Sequence, residues 1–128
     1  MGEDWFERQE EKKRLRREKV ILFRKKQKML KEINPIPFVL RTLKLRAKKK
    51  KIDFNLEEID LVPIFKNSVK CIYCGEIVKN MSVDRIDSNK GYIKGNIAPA
   101  CCKCNQMKWN TPLEEFILRC KRIAKNNE

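Results

Sequence analysis

Six cysteines in a chain without a single histidine are the residues that first suggest chemistry. Four of them form two Cys-x-x-Cys pairs, Cys71-Ile72-Tyr73-Cys74 and Cys101-Cys102-Lys103-Cys104, with residues 75–100 between them. Zn2+ takes four soft ligands in tetrahedral geometry, and a Cys-x-x-Cys turn points two thiolates at one ion. Without histidine, a structural zinc site must here be made by Cys71, Cys74, Cys101 and Cys104. Gly75, directly after the first pair, suits the tight turn of a zinc knuckle. The competing use of such cysteines is disulfide cross-linking of an exported domain. Met1-Gly2-Glu3-Asp4 is acidic and leads into no apolar signal-peptide stretch. Reduced thiols are therefore expected, in an intracellular compartment such as the cytoplasm, or a host cytoplasm if the chain is viral, and not in a secreted protein. Cys102 and Cys120 are left over and expected as small buried side chains.

Elements must bring the two pairs together. The intervening Ser82-Val83-Asp84-Arg85-Ile86-Asp87 reads as a short strand, with Asp87 placed to close an Asx-turn at its end. Asn89-Lys90-Gly91 is a turn signal, and Asn96-Ile97-Ala98 returns as a second strand. A helix then starts at the second cysteine pair and runs through Asn105, Gln106, Met107 and Lys108. Thr111, Pro112 and Glu114 look like the N-cap, first position and capping-box glutamate of a final helix. Tyr73 and Trp109 are expected to pack around the metal. Strand, strand and helix pinned by zinc make an α+β fold.

Upstream, Glu3 to about Ile33 has no proline and no glycine, and is rich in Glu, Lys, Arg and Leu, all good helix formers. Leu15, Leu22 and Met29 repeat at seven, but the partner positions of a coiled-coil seam hold Glu18 or Lys19 and Lys25 or Lys26, so no sustained seam exists. Pro35 and Pro37 break this helix. Phe38 to Lys51 reads as a second helix with Phe38, Val39, Leu40, Leu43 and Ala47 on its apolar side. Ile52-Asp53-Phe54 is extended, and Asn55 to Glu58 is spaced as a capping box for a helix through Ile59 and Leu61. This division predicts a basic, mainly helical extension over residues 1–68 and a zinc-bound domain over residues 69–128.

The net charge of +14 is concentrated in the first half. Residues 1–51 hold 19 Lys and Arg against 7 Asp and Glu, and residues 52–128 hold 12 against 10, so the halves carry +12 and +2. Such asymmetry points to a polyanionic partner, with nucleic acid ahead of a membrane because no broad apolar helix face accompanies the charge. Charge alone does not separate DNA from RNA. The longest tight apolar cluster in that half, Val20-Ile21-Leu22-Phe23, is far below the ~20 residues of a bilayer span.

The order Cys-x-x-Cys, Val83-Asp84-Arg85-Ile86-Asp87, Lys90-Gly91-Tyr92, Gly95-Asn96-Ile97 and Cys101-x-x-Cys104-Asn105-x-x-Lys108 resembles the HNH endonucleases with the ββα-metal fold. It is most similar to their phage-type branch, in which Asp-Arg stands for the usual Asp-His. The likeness covers about Lys70 to Asn110, with a weaker lead-in through Arg46-Ala47-Lys48 and Phe54-Asn55-Leu56. It implies a small zinc-stapled ββα-metal core carrying a basic N-terminal helical extension. It further implies that Asp84 and Asn105 hold a catalytic divalent ion, Mg2+ or Mn2+, and that Asn96 braces the loop between the strands. The implied reaction is hydrolysis of a DNA phosphodiester. Arg85 falls where the family's general-base histidine stands. Arginine stays protonated, so Arg85 is expected to grip the scissile phosphate. Proton removal from water then falls to activation by the ion, to another phosphate, or to Tyr92. Lys48, Lys49, Lys50, Lys51, Lys90, Lys94 and Lys108 are the expected DNA contacts, Lys108 lying one turn beyond Asn105 on the same helix face. The alternative is a DNA-binding module that keeps the zinc fold and has lost hydrolysis. A homodimer is compatible with either, and with the first it would allow both strands to be cut.

Overall fold

A computed structural model describes residues 2–128. The chain forms two compact units, one running to Pro35 and the other spanning Ile36–Glu128. The first unit is helix α1, Gly2–Ile33, in which no residue is buried. Glu3 and Asp4 sit in its first turn, where carboxylates complement the helix dipole. Ion pairs Lys13–Glu10 and Arg14–Glu11 lie along its surface; exposed pairs of this kind contribute little because water screens them. Its order rests on helix propensity over a long, uninterrupted run.

The second unit begins with α2, Ile36–Lys50, and the four-residue α3, Glu58–Leu61. Strands β1, Met81–Arg85, and β2, Ile97–Cys101, pair antiparallel with Asp84 opposite Ala98 and Met81 opposite Cys101. Helix α4, Cys102–Lys108, follows β2 without a break, and α5, Leu113–Asn126, closes the chain. Among the described residues no helix is long and apolar enough to cross a membrane.

Where the core sits explains where the units divide. Leu43 and Ala47 of α2, Leu56, Leu61 and Ile64 are buried in one cluster with Val83 of β1 and Tyr92. The apolar side of α2 thus has its partner in the hairpin, and residues 36–68 fold with the strands. This differs from the division at residue 68 expected from the sequence, which was placed where the cysteine-bearing segment begins. A parallel bridge from Phe54 to Tyr92 joins the two stretches, and Asn55 N–H donates to Tyr92 O at 3.2 Å. Gly91 is required there, because a Cβ at that position would lie 2.0 Å from the Asp53 carbonyl oxygen.

Two helix starts differ from expectation. Asn55 does not cap α3; its Oδ1 accepts from Lys94 N–H at 2.8 Å, while Glu57 is the N-cap and its N–H donates to Asp60 Oδ2 at 2.7 Å. Before α5 the N-cap is Pro112, one residue later than Thr111. The Asx-turn is present, with Asn89 N–H donating to Asp87 Oδ1 at 2.9 Å.

Candidate metal cluster and groove

The four Cys-x-x-Cys sulfurs converge, all lying within 4.8 Å of one another. Cys74 Sγ and Cys101 Sγ are 3.8 Å apart, which is about the edge of a tetrahedron of sulfurs 2.3 Å from a central ion. All six cysteines are free, so none is spent in a disulfide. Backbone geometry explains the convergence. Gly75, at φ 75°, turns the chain so that its N–H donates to Cys71 O at 3.0 Å. Cys71 N–H then donates to Glu76 O at 2.9 Å, and Ile72 N–H ties the turn to Pro99 O of β2 at 2.9 Å. On the other side Cys101 caps α4, its Sγ accepting from Cys104 N–H at 3.4 Å.

The thiols are electrostatically unequal. Burial works against a Cys71 thiolate, but hydrogen bonds from the N–H groups of Cys101, Cys74 and Tyr73, with one from the Cys74 side chain, outweigh it and bring its pKa down to about 6. Burial, followed by hydrogen bonds with Cys101, Cys74 and Cys71, pushes the Cys104 thiol up. The Cys71 sulfur ionises readily while the Cys104 thiol beside it is held protonated, an arrangement that a divalent cation replaces with four thiolates. The cluster is therefore built to hold a metal ion.

Tyr73 lies inside the first knuckle and connects this cluster to a groove. Its hydroxyl donates to Asp84 Oδ2, and its ring meets Phe116 of α5 edge-on with centroids 5.8 Å apart. Burial and then the hydrogen bond and charge of Asp84 push its phenol pKa up. Asp84 is almost fully buried on β1. The same Oδ2 faces Lys108 Nζ at 3.5 Å, while among the described residues no hydrogen bond engages Oδ1. No buried side-chain oxygen or nitrogen lacks a partner among the described residues, so Oδ1 reaches the groove that Asp84 lines. That groove encloses about 880 Å³ between α2, β1 and α4.

Asn105, on α4, reaches the same groove. Its Nδ2 donates to Ser82 Oγ at 3.1 Å, and Ser82 Oγ donates its own proton to Ala100 O at 2.8 Å. With that proton spent, Ser82 can only accept from Asn105. The amide is thereby oriented, and its Oδ1 is left as the atom not engaged by Ser82. Arg85 is anchored through Nη1, which donates to Ser88 O and Lys90 O at 3.1 Å each, and its guanidinium lies 5.4 Å from the Tyr92 ring centroid. Among the described residues its Nε and Nη2 have no hydrogen-bond partner, and the residue lines the groove. Tyr92 is buried, with its hydroxyl accepting from Arg46 Nη1 at 3.4 Å.

Asn96 binds the loop between the strands. Its Oδ1 accepts from Asp87 N–H at 2.9 Å, and its Nδ2 donates to Asp87 O and Gly91 O at 3.1 and 2.9 Å. It does not line the groove, so its place is in bracing.

The lysines separate into three groups. Lys49 and Lys50 line the groove with Arg46, whereas Lys48, Lys51 and Lys90 are exposed outside it. Lys94 pairs with Glu57 at 3.1 Å, away from the groove lining. Lys108 overturns its expected role as a DNA contact. It is fully buried, donating to Arg85 O at 3.0 Å and facing Asp84, because the buried carboxylate and the β1 carbonyl draw it inward. Trp109 also departs from expectation, being 74% exposed on the groove rim and not packed on the cysteines. Cys102 is exposed and Cys120 only half-buried, so neither is the buried filler anticipated. Ser82, Arg46 and the Tyr73 hydroxyl were not singled out as site residues; the hydroxyl's position inside a Cys-x-x-Cys turn was the available signal for the last.

No family model matches the chain. It is 36% identical over 80 residues to an uncharacterized protein of Acanthamoeba polyphaga mimivirus, covering 61% of this chain and 15% of the relative. It is 35% identical over 92 residues to an uncharacterized 29.0 kDa protein of Enterobacteria phage T4, from the dda-modA intergenic region, covering 67% of this chain and 37% of that one. The chain thus spans well under half the length of either relative. Among solved structures it is similar to the rare-cutting HNH restriction endonuclease PacI, with a TM-score of 0.55 and 22% identity over 70% of this chain and 76% of that one. Helix, hairpin and cysteine cluster together make a small α+β fold similar to that of this endonuclease, with four cysteines clustered to hold a metal ion.

Proposed function

We propose that this chain is a metal-dependent endonuclease that hydrolyses DNA phosphodiester bonds, with structural zinc at Cys71, Cys74, Cys101 and Cys104. The observation that carries the reading is one groove lined by Asp84, Asn105 and Arg85 and walled by Arg46, Lys49 and Lys50. Free carboxylate and amide oxygens with open space beside them fit a hard cation, and Asp84 and Asn105 would hold Mg2+ or Mn2+. Such an ion supplies charge stabilisation at the scissile phosphate.

The chain's own residues have separable tasks. Tyr73 and Lys108 occupy Oδ2 of Asp84 and so present Oδ1 to the groove. Ser82 orients the Asn105 amide. Arg85, tied down through Nη1, directs its remaining N–H groups at phosphate charge, where a preorganised donor acts most strongly. Proton removal from water falls to activation by the ion, to another phosphate, or to Tyr92, whose ring centroid lies 5.4 Å from the Arg85 guanidinium. Asn96 keeps the loop that carries these groups in shape. The basic residues of α1 and α2 hold the DNA backbone by phosphate neutralisation.

A second reading has one observation in its favour: the Lys108 ammonium already stands 3.5 Å from Asp84, lowering the need for a cation. On that reading the chain binds DNA without cutting it. Supercoiled plasmid incubated with Mg2+ or Mn2+ tests the choice. Nicking by the wild type, lost in Asp84→Ala with the zinc content unchanged, is the expected outcome. Salt-dependent DNA binding with no nicking under either ion would select the second reading.

A further inference from the structure

Trp109 joins three unusual features at one position. Its side chain is 74% exposed, an uncommon placement for so large an apolar ring. Its backbone adopts φ 47° and ψ −121°, a region that residues with side chains rarely enter. Finally, it stands on the lining of the groove that holds Asp84, Asn105 and Arg85.

The local chain explains how the indole is held outward. Lys108 is drawn inward by Arg85 O. The Trp109 N–H then closes α4 on Asn105 O at 3.0 Å, and Thr111 N–H donates to Lys108 O at 2.9 Å. The turn that buries the lysine therefore projects the next side chain to the rim. Backbone strain of this kind persists where the surrounding structure enforces it and gathers at ligand-contacting positions. The neighbours indicate the ligand. Arg46, Lys49, Lys50 and Arg85 make the same groove a track for a polyanion, and a flat apolar ring set among cations matches a polymer that alternates phosphates with aromatic bases.

We propose that Trp109 is a stacking platform for a nucleobase taken out of its duplex beside the phosphate held at Arg85. The proposal rests on DNA as the occupant of the groove. Within an intact duplex both faces of a base are covered by its neighbours, so stacking on Trp109 requires a base that is unpaired or displaced. The protein consequently prefers DNA in which displacement costs least: a mismatched duplex over a matched one.

The test uses the full chain carrying Trp5→Phe, which leaves Trp109 as the sole remaining tryptophan of the two. Its emission is followed during titration with a matched duplex, the same duplex with a central mismatch, and the single strand. Stacking predicts quenching that saturates with binding and is strongest for the mismatched and single-stranded probes. Trp109→Ala is expected to weaken binding of the mismatched duplex about 5- to 150-fold, with Trp109→Phe keeping most of the affinity. The dependence of affinity on salt stays the same in all three, because the indole neutralises no phosphate. Binding that proceeds with unquenched emission, or an alanine variant that loses affinity equally for matched and mismatched duplexes, overturns the stacking role while leaving DNA as the partner. Absence of binding to every probe at low salt overturns the DNA reading as well.

Discussion

Replacing Lys108 with methionine removes a charge from the best-enclosed polar contact in the protein. The ammonium has no exposed surface, donates to Arg85 O at 3.0 Å and lies 3.5 Å from Asp84 Oδ2. At that separation the Coulomb attraction is about 4.7 kcal/mol for an effective dielectric of ~20. Breaking a buried pair from one side typically costs about 3–5 kcal/mol, since the surviving charge stays buried without compensation. Lys108→Met should therefore lower the stability of the second unit by about 3–5 kcal/mol, with a melting temperature reduced by at least ~12 °C. Asp84→Asn added to that variant removes the orphaned charge and should restore a substantial part of the loss, a coupling read from a double-mutant cycle. Urea denaturation followed by circular dichroism, with zinc in the buffer, supplies the four stabilities. A cost below about 1 kcal/mol for Lys108→Met, or strict additivity with Asp84→Asn, would refute the assignment of Lys108 as the carboxylate's partner. Weakened DNA binding with a reduced salt slope and unchanged stability would instead return Lys108 to the surface role suggested by the sequence.

Three further outcomes follow from other contacts. Gly91→Ala forces a Cβ to within 2.0 Å of Asp53 O and should destabilise the second unit by about 1–3 kcal/mol, measured by the same denaturation. Tyr73 has its pKa raised by burial and by Asp84, so its contribution to stability is complete below the unfolded value near 10 and is lost as the pH climbs toward the higher folded value. The wild type should accordingly lose stability more steeply than Tyr73→Phe in alkaline solution, and difference absorbance between the two should show the Tyr73 phenolate forming late. Lys49→Ala with Lys50→Ala should lessen the slope of log affinity against log salt by about 2. Lys94→Ala, whose ammonium is committed to Glu57, should leave that slope unchanged in the same binding titrations.

Much of the local architecture was legible because it depends on near neighbours in the chain. The first helix follows from an uninterrupted run of helix formers, the knuckle from Cys71, Cys74 and Gly75, and the Asx-turn from Asp87. The two cysteine pairs and the absence of histidine are enough to define the four-cysteine cluster. Asp84 and Asn105 were named from motif order, and both do line one groove.

What the sequence alone did not determine was which side of a short element faces inward. Lys108 and Trp109 are adjacent, and the sequence suggests the lysine outside and the indole within, the reverse of the fold. Lysine is usually solvated and tryptophan usually buried, so composition favours the reverse of what folding produces here. Only the packing of α4 against β1, which sets an ammonium beside a buried carboxylate and a carbonyl, makes burial of the charge favourable and turns the ring out. The same holds for α2, whose apolar side found its partner in Val83 and Tyr92, far along the chain. Spacing and residue type determined the ligands and the turns, which need only local geometry. The groove, its oriented amide and its half-occupied carboxylate came from long-range contacts, because a hydrogen bond is assigned only when its second partner arrives.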